Sequence, residues 1–133
     1  MEKELKVLII SNRMENRKTL LRTLEGLPLN TFSVSTIGQA LEVLSTHTFA
    51  IFFCEERVGD GSYRERLQLT LANSWPSRFM VMLCTGEWEE YLEALRLGAA
   101  EVLRVPLQST DIDIALFHAM RQGRENQAMA AEA

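Results

Sequence analysis

Histidine and cysteine are scarce in this chain, with two of each among 133 residues, and each shortage closes off a class of chemistry. Cys54 and Cys84 supply neither a disulfide framework nor the four ligands of a structural zinc site. His47 and His118 stand far apart in sequence, so no metal is expected, and no other cofactor. A glycine-rich phosphate loop is missing, as are a nucleophile elbow and an acid–base pair beside a nucleophile, which argues against an enzyme. No apolar run approaches the roughly 20 residues of a membrane span, and "MEKELK" leads into a short strand-like run without the apolar core and cleavage site of a signal peptide. A soluble, cytoplasmic protein with no membrane partner is the expectation. Basic charge is also in deficit, 14 Lys and Arg against 18 Asp and Glu for a net charge of -4. The basic residues are scattered rather than gathered on one face, so nucleic acid is not the expected partner.

What is present suits one sizeable core. The chain is 47% hydrophobic and 24% charged, enough for a single domain, read here as residues 1–124 with a polar, Ala-rich tail at 125–133. Short apolar runs rich in branched residues alternate with segments of helical period, the pattern of βαβ units around a parallel sheet. The strands fall at Leu5 to Ile10, Phe32 to Ser35, Phe49 to Cys54, Phe79 to Cys84 and Glu101 to Arg104. Between them, one-sided helices carry Leu20, Leu21 and Leu24; Ile37, Ala40, Leu41 and Leu44; Tyr63, Leu67 and Leu71; and Trp88, Tyr91, Leu92 and Leu95. Thr36 with Gln39 and Ser62 with Glu65 have capping-box spacing. Ser109 or Thr110 can cap a last helix that runs to about Gly123.

Such a series predicts an open doubly wound sheet whose chemistry gathers at the carboxyl ends of the strands. The residues found there include Ser11, Asn12 and Arg13, then Glu55, Glu56 and Arg57, then Thr85 and Gly86, then Val105 and Pro106. With "KVLII" and "NRKTLLRTLEGL", "TFAIFFCEERVGDG", "VMLCTG" and "EALRLGAAEVLRVPL" in that order, the chain resembles the receiver domain of bacterial two-component response regulators from about residue 5 to residue 123. The resemblance implies a flavodoxin-like (βα)5 fold in three layers, with strand order 2-1-3-4-5.

It also implies a site, and there the sequence departs from the family. A working receiver has two acids after the first strand, a phosphoaccepting Asp after the third, Thr or Ser after the fourth and Lys before the Pro after the fifth. The acids hold Mg²⁺ while the phosphoryl group moves. Here Ser11 and Asn12 match the acid pair, Glu55 the phosphoacceptor, Thr85 the hydroxyl and Val105 the Lys, so only Thr85 is kept. Acids and cation are lost together, which avoids both crowded carboxylates and a lone cation. Glu55 can draw donors from Arg13, Arg57, Thr85 or the Asn12 amide. It is either a partial mimic of phosphoaspartate or a plain polar strand-end residue.

Other readings stay structural. Ser11 and Asn12 suit an N-cap for the first helix. Cys54 and Cys84, at the ends of neighbouring strands, have sulfurs expected on one face; they read as buried hydrophobes, with a thiol switch as the minor alternative. Glu56 and Asp60 read as a solvated loop with a "GDG" turn, and Glu87, Glu89, Glu90 and Glu93 as the wet face of their helix. In the last helix Ile112, Ala115, Leu116 and Ala119 form a core stripe, yet Ile114 and Phe117 add a second apolar pair. The tail, with Met129, can fold back over that pair. Otherwise a homodimer or a partner helix covers it, with Glu93, Arg96, Arg104 and Arg121 as rim charges.

The reading that follows is an atypical, degenerate receiver domain in signal transduction. It works by protein–protein interaction, with a signalling partner or as a homodimer, and without standard Mg-dependent aspartyl phosphorylation. The alternative is a phosphate-accepting receiver in a two-component phosphorelay.

Overall fold

The computed structural model describes residues 5–64, 78–84 and 86–132, with only the backbone described from 122 onward. Five parallel strands form the main sheet: β1 (Leu5–Ile10), β2 (Leu29–Val34), β3 (Ile51–Glu55), β6 (Arg78–Leu83) and β7 (Glu101–Arg104), in the order β2-β1-β3-β6-β7. Counted over these five, that is 2-1-3-4-5, as expected for the flavodoxin-like fold. The central strands read as unbroken apolar runs because helices cover both of their faces. On one face Leu8, Ile10, Phe52, Cys54, Val81 and Leu83 form a core with Ile37 and Ala40 of α2 (Ile37–Leu44) and Ala94 of α3 (Trp88–Arg96). On the other, Val7, Ile9, Phe53, Met80 and Met82 pack against Leu20 and Leu24 of α1 (Met14–Leu24), and against Ile112, Ala115, Leu116 and Ala119 of α4 (Ser109–Glu132). Among the described residues no helix is long and apolar enough to cross a membrane.

Several local expectations change. β2 starts at Leu29, three residues early, because Leu29, Asn30 and Thr31 pair with Leu5, Lys6 and Val7. A two-stranded hairpin, β4 (Arg57–Val58) with β5 (Gly61–Ser62), stands where a solvated loop was expected. Thr36 does accept from the Gln39 amide (3.1 Å), while the Gln39 side chain returns to the Ser35 N–H (2.7 Å). Ser62 to Glu65 runs beyond the described residues, as do Leu67 and Leu71. Ser109 is already the first residue of α4, and the Asp111 and Ile112 amides turn back to the Gln108 carbonyl. α4 passes Gly123 and continues to Glu132, so its backbone does not double back over Ile114 and Phe117.

The largest change concerns α3. Trp88, Tyr91, Leu92 and Leu95 were read as its core stripe, but Ala94 is the residue that faces the core; Leu92 is half-buried and the other three are exposed, Trp88 to 68%. A small residue lets the helix approach the sheet closely, and the large side chains are left on the outside. Leu21 and Leu41 are likewise exposed on α1 and α2.

Candidate functional site

At the carboxyl end of the sheet, β1 and β3 lie side by side, with Ile10 opposite Cys54. The residues that follow, Ser11 and Glu55, are therefore neighbours, and both are buried, Glu55 with 3% of its surface exposed. Ser11 Oγ donates to Glu55 Oε2 at 2.5 Å, and the Asn12 main-chain N–H donates to Oε1 at 3.1 Å. A third donor, Asn16 Nδ2 on the first turn of α1, reaches Oε2 at 3.0 Å. Both carboxylate oxygens thus accept hydrogen bonds, the requirement for holding a carboxylate out of water. We call this arrangement the Glu55 clasp.

Arg17, one residue further along α1, braces the clasp from behind. Its Nη2 donates to the Ser11 carbonyl, to the Val34 carbonyl (3.2 Å) and to Ser35 Oγ (2.6 Å), tying the ends of β1 and β2 together. The Ser11 N–H also bonds to the Val34 carbonyl at 2.9 Å.

The expected donors are only partly right. The Asn12 donor is its main-chain amide. Arg13 and Arg57 are exposed and make no bond to Glu55 among the described residues. Thr85 lies outside the described residues. Ser11 and Asn12 do not cap α1, whose N-cap position is Arg13 with no side-chain hydrogen bond; Ser11 points inward to the carboxylate instead, and only its secondary contact, Oγ to the Arg13 carbonyl at 3.2 Å, is with the turn. Val105 is half-buried and packs against the core on the α1 and α4 face, and a cis peptide bond joins it to Pro106. Asn16 was missed, although the sequence carries a signal: it continues the buried Leu20 and Leu24 stripe at helical spacing, where an apolar residue would otherwise belong.

Asp60 is the second omission. Its carboxylate reaches from the β4–β5 turn to the first amides of α2, Ile37 N–H at 2.7 Å and Gly38 N–H at 2.9 Å. The Gly38 and Ile37 amides hold its pKa below the ordinary aspartate value. The segment that follows Glu55 is thereby fastened to the helix after β2. Cys54 and Cys84 do not share a face: Cys54 pairs with Val81 and is buried, while Cys84 lies three positions beyond Val81, of opposite parity, and is exposed.

The expected interaction residues lie along β7 and its flanking helices. Ile114 and Phe117 are 53% and 63% exposed on α4. Arg104 lays its guanidinium against the bare Cα of Gly86, where a Cβ would collide with it. Glu93 is not merely solvated: Arg64 grips it with Nε at 2.6 Å and Nη2 at 3.1 Å, and that bond lowers the Glu93 pKa. Arg96 and Arg121 are on the surface. Beside Arg104, a concavity of about 250 Å³ is floored by Leu83, Val102 and Leu103 and walled by Trp88 and Tyr91, whose rings stack at 5.4 Å.

No family model matches the sequence, and no curated protein sequence matches it. Solved structures do. The signal receiver domain of a protein described as a Luxo repressor of Vibrio parahaemolyticus superposes with a TM-score of 0.86 at 13% identity, over 95% of this chain and 97% of that one. The signal receiver domain of an HD domain-containing protein of Pseudomonas fluorescens Pf-5 gives 0.83 at 14% identity, over 92% and 98%. A response regulator receiver domain protein of Clostridium thermocellum gives 0.79 at 17% identity, over 90% and 97%. Across nearly its whole length, this chain has the fold of response regulator receiver domains.

Proposed function

We propose that this chain is a degenerate receiver module of signal transduction that acts by binding another protein or a second copy of itself, without Mg-dependent aspartyl phosphorylation and without catalysis of its own. The Glu55 clasp carries the reading. Magnesium takes oxygen ligands, usually with one or two carboxylates and several waters. Here one buried carboxylate is met on both oxygens by hydrogen-bearing groups, and Ser11 and Asn12 stand where an acid pair would be needed. These residues do not fit the ion. Val105, half-buried against the core, brings no cation to a phosphoryl group. The exposed apolar side chains of α3 and α4, on either side of β7, supply a binding face in compensation.

The test is incubation with acetyl phosphate and Mg²⁺ followed by intact-mass analysis. No phosphoryl adduct is expected, and an acid-labile phosphate on Glu55 would return the chain to phosphorelay chemistry. In parallel, Ile114→Glu with Phe117→Ser is compared with the parent by analytical ultracentrifugation and partner capture. Loss of association supports the face, and undiminished association removes it.

A further inference from the structure

β7 ends the main sheet, and among the described residues no strand pairs with its outer edge. The direction of its backbone groups follows from the ladder. The Glu56 N–H bonds to the Met82 carbonyl, so β6 turns its even-numbered residues toward β3 and its odd-numbered ones toward β7. The Val105 N–H accordingly reaches the Leu83 carbonyl at 3.0 Å. Residues two apart in a parallel strand use the same neighbour. Glu101 and Leu103 therefore face β6, while Val102 and Arg104 present N–H and C=O outward.

Exposed edges are usually blunted by charge or covered. The charge at the end of this one, Arg104, is drawn aside onto Gly86. A concavity also borders β7 on each face of the sheet. The one on the α3 side, of about 250 Å³, is largely apolar, with Trp88 and Tyr91 as its wall. The one on the α4 side, of about 110 Å³, is lined by Arg78, Glu101 and His118, with His118 Nδ1 2.6 Å from the Glu101 carboxylate. Successive side chains of an added strand point to opposite faces, so a strand laid along β7 would offer its residues to the two concavities in turn. Neither concavity touches β2, the other edge.

We propose that β7 accepts an extended segment of a partner protein as an added strand of the sheet, with a branched or aromatic residue seated against Trp88 and Tyr91 and a short polar residue in the smaller concavity by Arg78 and His118. Main-chain hydrogen bonds at Val102 and Arg104 supply the affinity and the paired concavities the selection, the division of labour in β-strand addition. The inference rests on the binding role proposed above and specifies the manner of binding.

A short synthetic peptide alternating leucine and serine is the probe, read by amide NMR on the intact chain. The Val102 and Arg104 amides are expected to exchange freely in the unbound protein and to become protected with peptide. N-methylation of the peptide amides that face β7 should abolish this protection. Arg104→Pro removes an outward N–H, which an edge strand tolerates, and should weaken binding roughly five-fold beyond Arg104→Ala, the worth of about one hydrogen bond. Protection of those amides without peptide, absence of peptide binding, or equal binding of the N-methylated peptide overturns strand addition. If Ile114→Glu with Phe117→Ser still abolishes association in that event, the binding face stands and only the added strand falls.

Discussion

The turn around Glu55 and the free edge at β7 depart from ordinary segregation in opposite senses. One buries a carboxylate with two polar side chains, Ser11 and Asn16, and satisfies both carboxylate oxygens. The other leaves Trp88, Ile114 and Phe117 exposed beside a strand whose outer backbone groups meet no other strand among the described residues. A satisfied polar interior holds one conformation, because every member loses a partner if any member moves. An exposed apolar face gains nothing from folding and gains only when something covers it. The first region should therefore govern stability and the second association, and substitutions can separate the two.

The largest effect is expected at the clasp. Asn16→Leu removes one donor from a buried carboxylate and should cost about 2 kcal/mol of folding stability in urea titration. Asn16→Leu with Glu55→Leu should cost less than the two single changes summed, since the orphaned groups leave together. An additive double variant would mean that the two residues do not act through one another.

Asp60 comes next. Asp60→Asn should lower the melting temperature at neutral pH by removing a charged cap from the start of α2. The folded-state pKa lies below the ordinary aspartate value of 3.8, so the contribution is present above that value and is lost as pH falls through the lower, folded one. The parent and the variant should thus converge in stability as the pH drops below 3.8. A gap that persists in strong acid would contradict the cap.

A smaller effect is expected at Tyr63. It is buried, its hydroxyl lacks a partner among the described residues, and burial raises its pKa while Arg64 opposes the shift. Tyr63→Phe removes that unmet group and should leave stability unchanged or raise it by up to about 1 kcal/mol. The smallest effect on folding belongs to the free edge. Ile114→Glu with Phe117→Ser should change stability by less than about 0.5 kcal/mol, as exposed substitutions do, while reducing association. If it unfolds the protein instead, the face is part of the core and the contrast fails.

The sequence displayed some of this directly. β1 was legible to the residue as an apolar run that ends at the polar Ser11 and Asn12, β7 as a short alternating run between Gly98 and Pro106, and the α4 core stripe from Ile112 to Ala119 was legible from its period alone. α3 was misread for a physical reason. Periodicity reports which residues share a side of a helix, but not which side meets the sheet, and a single alanine at the contact outweighed three large apolar residues. Capping was misread where the partner is distant: Asp60 lies 22 residues from Gly38, beyond any local capping pattern.

The fold class was determined by the sequence, since the alternation of strand and helix periods depends on residue order and type, while the strand order came with the resemblance to receiver domains and holds in the structure. Only the tertiary structure decided that Asn16 completes a clasp on Glu55, that Asp60 caps α2, and that β7, the last strand of the sheet among the described residues, lies between two concavities. Each of these depends on where separate strands end in space, and that is set by the register of a sheet that local sequence does not encode.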